Sequence, residues 1–139
     1  MTEPNNCYAY FSVYGDDLDP TALTKELGVA PTQAWRKGDL DPRQRERSTG
    51  HWALYSRLDR SAELEEHLHD VLIQMDANEA AFASVSGQFG GIMQLVGYFH
   101  DIGAGLNLTK RVVDRLAFYG LQLDLDSYYL YSDKRECTE

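Results

Sequence analysis

Leu18-Asp19-Pro20-Thr21-Ala22-Leu23 and, far downstream, Leu108-Thr109-Lys110-Arg111-Val112-Val113 begin in the same way. Each sets an apolar residue, then a side-chain oxygen that can accept from free backbone N–H groups, then an apolar residue where the first turn closes. That is a hydrophobic staple around an N-cap. The first segment runs through Leu27 to Gly28 and the second through Leu116 to Gly120, so each ends on a residue that takes a left-handed conformation without Cβ strain. Two short capped helices are therefore predicted, and what flanks them sets the fold class.

The flanks are aromatic and alternating. Cys7 to Tyr14 sets Cys7, Ala9, Phe11 and Val13 on one side and Tyr8, Tyr10, Ser12 and Tyr14 on the other, the period of a pleated strand. Gln33 to Gly38, around Trp35, and His51 to Leu58, with Trp52 and Leu54 opposite Ala53 and Tyr55, predict a hairpin with a long exposed connection. Ser61 to Met75 repeats Leu64, Leu68, Val71, Leu72 and Met75 at helical spacing, with acids gathered in its first half. A shorter helical turn follows around Ala80, Ala81 and Phe82, ended by Ser86-Gly87. Ile92 to His100 reads as a strand, Asp101 to Asn107 as a glycine-rich loop, and Leu121 to Tyr131 as a closing strand with Leu121, Leu123 and Leu125 on its dry side.

The predicted order is β-α-β-β-α-β-α-β. It describes an α+β fold with a single-layer, mainly antiparallel sheet, helices on one face, and a ferredoxin-like core carrying an added αβ unit. All 139 residues fit one domain, with a core from about 7 to 131 and a polar tail over 132–139. Helices on one face leave the other face uncovered. The alternation places Tyr8, Tyr10, Tyr14, Tyr98, Asp124, Asp126 and Tyr128 there.

The formal charge is −9 but uneven: Arg36 to Arg60 holds seven Arg or Lys against four acids, a local +3 within a chain otherwise at −12. An acidic body repels a phosphate backbone, which disfavours nucleic acid and favours a partner with a basic surface. Cys7 and Cys137 lie near opposite ends without the paired spacing of a zinc site, so two free thiols are expected. No apolar run approaches the ~20 residues that span a bilayer, and Met1 to Asn6 is polar; a cytoplasmic protein away from the membrane is predicted.

Tyr8-Ala9-Tyr10-Phe11-Ser12-Val13, Trp35-Arg36-Lys37-Gly38-Asp39, and Leu116 to Gly120 followed by Leu123-Asp124-Leu125-Asp126-Ser127-Tyr128 together resemble the domain-of-unknown-function 4279 family, over about Cys7 to Tyr131. The resemblance implies a small soluble bacterial-type domain. It transfers no catalytic residue and no ligand.

The residues supply little chemistry of their own. Gly103-Ala104-Gly105-Leu106-Asn107-Leu108 imitates a dinucleotide fingerprint but lacks its third glycine, and Gly87-Gln88-Phe89-Gly90-Gly91 lacks the Lys-Ser/Thr of a phosphate loop. His67 and His69, two apart on a helix, point to opposite sides and cannot share a metal, while His51 and His100 stand alone at strand ends. No nucleophile has a base at recognisable spacing, so no enzyme, cofactor or metal is expected. Asp124 and Asp126 stand about 7 Å apart on one strand face, close enough to share a divalent cation or to couple as acid and base, with a binding hot spot for a cation favoured over catalysis. The hairpin residues Trp35, Arg36, Lys37, Arg43, Arg45, Arg47 and His51 could stack on and clamp an anion, against the plainer reading of a solvated loop with both tryptophans in the core. Asp-Leu-Asp-Pro recurs at Asp17 to Pro20 and Asp39 to Pro42, which predicts the same helix start twice.

Two functions are expected from these features. The first is a non-catalytic protein-interaction module, an immunity- or antitoxin-like inhibitor or a self-associating adaptor, that uses the tyrosine and aspartate face on a basic partner or a second copy. The alternative is a binder of small anions or nucleotides at the basic hairpin.

Overall fold

The computed structural model describes residues 5–100 and 105–130. Most of the expected Asp101 to Asn107 loop, the first two residues of the fingerprint-like glycine segment, Cys137 and the polar tail lie outside the described residues.

The described residues form five strands and four helices, in the order β1 (Asn6–Gly15), α1 (Pro20–Leu27), β2 (Gln33–Trp35), β3 (Gly50–Tyr55), α2 (Leu64–Asp76), α3 (Glu79–Phe89), β4 (Ile92–Phe99), α4 (Lys110–Phe118) and β5 (Gln122–Tyr129). They build one α+β unit with a single five-stranded sheet in the order β2-β3-β1-β4-β5. The ladders β2/β3, β3/β1 and β1/β4 are antiparallel, whereas β5 runs parallel to β4, because the α4 crossover returns the chain in the same direction. The sheet is therefore mixed.

Both capped helices form as the sequence dictates. Asp19 accepts from the N–H groups of Thr21 and Ala22, and Gly28 closes α1 at φ 74°. Thr109 accepts from the Val112 N–H, and α4 ends in a Schellman turn in which Gly120 donates to Ala117 and Leu121 to Leu116. The staple of α4 is displaced, since Leu108 and Val112 both pack against the core while Val113 stays exposed.

Three local expectations are corrected. The second Asp-Leu-Asp-Pro starts no helix: Asp41 accepts from the N–H groups of Arg43 and Arg45, Leu40 bridges Glu46, and a tight turn results with Gln44 at φ 63°. The cap chemistry is the same, but Arg43 to Arg47 offers no apolar stripe for a helix to bury. The short turn around Ala80 is a full helix that runs through Ser86 and Gly87 to a left-handed Gly90, because Phe82, Val85 and Ser86 all bury on its sheet side. The longest helix begins at Leu64 rather than Ser61, where Glu63 and Glu66 form a capping box.

All four helices pack on one side of the sheet. Cys7, Ala9, Phe11 and Val13 of β1, Trp52 and Leu54 of β3, and Met93 and Leu95 of β4 meet Leu23, Leu27, Leu68, Val71, Met75, Phe82, Leu116 and Tyr119 from the helices. Phe11, Trp52 and Phe82 stand edge to face with centroids 5.4–6.3 Å apart, a geometry that adds to area burial. The Trp52 indole donates to Thr24 Oγ1, and Asn78 donates to the Glu26 and Leu27 carbonyls, so the end of α1 is tied to both sheet and helix layer. Tyr119 donates to Asp76 at 2.6 Å, and Arg115 reaches Asp76 and Glu79, which fastens α4 to the α2–α3 corner.

The helix layer stops short of the sheet's end. Leu125, expected on a dry side, is 46% exposed, and Tyr129 on the same side is 49% exposed. No described helix is long and apolar enough to cross a membrane.

Candidate functional site

Register places the candidate residues on the face opposite the helices. Tyr10 stands across from Tyr55 on one side and Gln94 on the other, Tyr14 across from His51, and Tyr8 across from Val96. Farther along the same rows lie Tyr98 with Tyr128, Gln94 with Asp124, and Val96 with Asp126. Tyr8, Tyr10, Tyr14, Tyr98, Asp124, Asp126 and Tyr128 thus share one surface, as the alternation predicts, and among the described residues no helix lies over it.

This surface is more ordered than a wet strand face. Tyr10 and Tyr55 stack at 4.4 Å with Tyr8 flanking both, and Tyr98 stacks on Tyr128 at 4.8 Å. Ser12 and Ala53 belong to the same face yet are buried within this aromatic layer. Burial pushes the Tyr10 hydroxyl up to about 12, with the Tyr55 phenol next in effect, and burial raises Tyr8 and Tyr55 as well. These phenols keep their protons at neutral pH and remain donors.

Tyr55 belongs to this face although the sequence alone does not single it out. Its signal was the alternation Ala53, Tyr55 opposite Trp52, Leu54, but only the pairing of β1 with β3 shows that it stacks on Tyr10. Arg60, whose guanidinium lies 4.1 Å above the Tyr8 ring, had no sequence signal at all.

The basic hairpin joins this surface instead of forming a separate one. His51 sits between Tyr14 and Trp35, with centroids at 4.5 and 4.4 Å, and Arg47 lies 3.7 Å over Trp35. Burial first, and then the Arg47 charge, lowers the His51 imidazole to about 4. Of the two tryptophans expected in the core, Trp52 is fully buried, while Trp35 is half-buried on the open face because its strand position matches His51.

The hairpin cations are mostly engaged. Arg36 pairs with Asp19 at 2.9 Å, Lys37 with Asp16 at 3.5 Å, and Arg45 with Asp41 at 3.1 Å; the Arg43 side chain is exposed. By contrast, Asp124 and Asp126 accept only from neutral glutamines, Gln122 at 2.9 Å and Gln94 at 3.1 Å, and pair with no cation among the described residues. The face is therefore polarised, with bare carboxylates toward the β5 edge and guanidiniums toward β2.

Elsewhere, His67 is buried with Nδ1 against Ser56 Oγ, and burial lowers its pKa, whereas His69 is exposed. Cys7 is buried, and its thiol is raised by that burial and then by Glu65.

The family model for a domain of unknown function, DUF4279, matches residues 5–130, nearly the whole length. The chain belongs to the DUF4279 family. Neither the curated proteins nor the solved structures contain a match. In this DUF4279 chain three of the resembling segments, Tyr8 to Val13, Trp35 to Asp39 and Leu123 to Tyr128, contribute to the open face or its rim, while the fourth, Leu116 to Gly120, ends α4 and buries Leu116 and Tyr119 in the core.

Proposed function

We propose that this DUF4279 domain is a non-catalytic, cytoplasmic protein-interaction module, an inhibitor or adaptor, that receives a protein partner on the tyrosine-rich face of its sheet. The observation that supports this reading is the gathering of Tyr8, Tyr10, Tyr14, Tyr55, Tyr98 and Tyr128 on the side away from all four helices. Tyrosine offers large contact area for few rotatable bonds, and such rings are enriched at interface centres. The bare Asp124 and Asp126 favour a basic partner surface and steer its approach. The same reading takes β1 to β4 as a ferredoxin-like core, supported by the order β2-β3-β1-β4, with α4 and β5 as the added unit.

The test compares affinity capture and solution mass for the wild type and a Tyr98→Ala, Tyr128→Ala variant of equal helical content. The variant is expected to lose the bound partner, or the self-association, at least about tenfold, as removal of interface-centre aromatics does. Retention of the same partner at the same affinity would sink the reading.

A second reading keeps one observation in its favour: Arg47 Nε and His51 Nδ1 are both buried beside Trp35 without a hydrogen-bond partner. An anion there would have to take the place of the Arg47 guanidinium on the Trp35 ring, whose other neighbour is His51. A thermal-shift panel of nucleotides and anionic metabolites tests it, since a ligand at a hundredfold excess over its Kd stabilises by about 2.7 kcal/mol.

A further inference from the structure

The two edges of the sheet differ. At one end β2 is only three residues long, and the chain beyond it turns into a bridged loop containing Pro42, a blunted edge. At the other end β5 runs for eight residues in unbroken register with β4, without proline, lysine or bulge.

The hydrogen bonds of β5 define which backbone groups are spent. Gln122 N–H donates to Gly91 and Leu130 N–H to Phe99, so the even-numbered residues bond inward to β4. In a parallel ladder the intervening residues then turn both N–H and C=O outward. Leu123, Leu125, Ser127 and Tyr129 therefore present a row of main-chain donors and acceptors at the sheet's edge. Beside that row stand Leu125, Tyr128, Tyr129 and Leu130, each 46–49% exposed, and the two carboxylates without a cationic partner.

We infer that β5 is a strand-addition site for an extended basic segment of a partner protein, with lysines or arginines at alternate positions facing Asp124 and Asp126 and apolar residues between them against Leu125 and Tyr129. This inference rests on the interaction reading above and names the kind of partner. Main-chain pairing supplies affinity and the alternating side chains supply selectivity.

Charge selects a basic strand over a second copy of this chain. A two-fold antiparallel pairing of β5 with itself keeps even residues opposite even residues. Its two fullest registers set Asp124 against the copy's Asp126, or Asp126 against its own counterpart. Like charges directly opposite across strands are destabilising. A lysine or arginine at those positions reverses the sign.

The probe is an end-blocked, dye-labelled peptide of alternating lysine and valine, matched in length to β5, with a glutamate and valine peptide as control; binding is read by anisotropy. The wild type is expected to bind the lysine peptide at least about tenfold more tightly than the glutamate one. Ser127→Pro removes an outward N–H without touching the β4 ladder, and should abolish binding. Asp124→Lys with Asp126→Lys should invert the preference, which keeps the test decisive if the proline variant folds poorly.

Binding unchanged by Ser127→Pro, or a preference that fails to invert, overturns the edge site. If the natural partner of the domain is lost with Tyr98→Ala, Tyr128→Ala but kept with Ser127→Pro, the face reading survives and the strand addition does not. If the wild type binds neither peptide and is instead a dimer that Ser127→Pro dissociates, the basic-strand occupant is wrong.

Discussion

His51 shows how a residue that reads as an isolated imidazole becomes a structural element once three strands meet. It is 2% exposed between Tyr14 and Trp35, with Arg47 nearby, so the native state holds it neutral. Its folded pKa of about 4 lies below the unfolded value of 6.5, so the unfolded chain binds the extra proton between these values. Stability is therefore full above pH 6.5, declines as pH falls toward 4, and loses on the order of 3 kcal/mol from this group across the window. His67 is lowered in the same direction by burial and adds to the slope. Urea midpoints measured at pH 7, 5.5 and 4.5 should fall steadily, and His51→Phe should flatten the decline; an unchanged slope would mean His51 is not held neutral. Asp70 behaves differently. Burial works to raise its carboxyl, but the Arg57 guanidinium and backbone N–H, together with Gln74, leave it below its usual range. Its contribution is present above the ordinary carboxylate pKa and is lost only as pH falls below that, after the histidine decline.

Elements differ in how much of their stability is local. The N-cap of α4 rests on one hydrogen bond, Thr109 Oγ1 accepting from Val112, so Thr109→Ala should cost about 1 kcal/mol and Thr109→Ser almost nothing. A urea titration distinguishes the two. Gly50 is a tighter constraint, because a Cβ there would lie 2.7 Å from the Gly15 carbonyl oxygen on the neighbouring strand. Gly50→Ala must part β1 from β3 and should destabilise by about 1–3 kcal/mol. In β5, hydrogen exchange should divide by parity: amides of Asp124, Asp126 and Tyr128 protected by β4, and those of Leu125, Ser127 and Tyr129 exchanging near the solvent rate. Equal protection of both sets would mean the outer edge is covered. The recurrent Asp-Leu-Asp-Pro shows the limit of reading elements from local signals. A cap prepares a helix, but only an apolar stripe that finds a surface completes one. Leu23 and Leu27 provide it after the first copy, and Arg43 to Arg47 do not after the second.

At the scale of the whole molecule, the aromatic residues divide into two populations with different costs of removal. Phe82 lies at the meeting point of Phe11 and Trp52, and Phe82→Ala should cost about 3–5 kcal/mol. Tyr128 stacks on Tyr98 at the rim with half its surface exposed, and Tyr128→Ala should cost no more than about 1.5 kcal/mol, the scale of an aromatic pair. Thermal unfolding of the two variants checks the contrast, and a large loss from Tyr128→Ala would show that the open face belongs to the core. The two capped helices, the alternation that separates Phe11 from Tyr10, and the gathering of tyrosines on one side were legible in the chain, because each depends on neighbours within a turn or a pleat. The full length of α3 was not, since Gly87 reads as a stop until Phe82, Val85 and Ser86 find the sheet. Periodicity and short-range hydrogen bonding were enough to separate the two faces of β1 and β3 and to place the starts of the two capped helices. Long-range packing was needed to set the hairpin's Trp35 and His51 beside the tyrosine face, to engage three of its cations with Asp16, Asp19 and Asp41, and to leave β5 as the last strand of the sheet among the described residues. Those outcomes depend on strand order and register, which bring together groups that no local interaction connects.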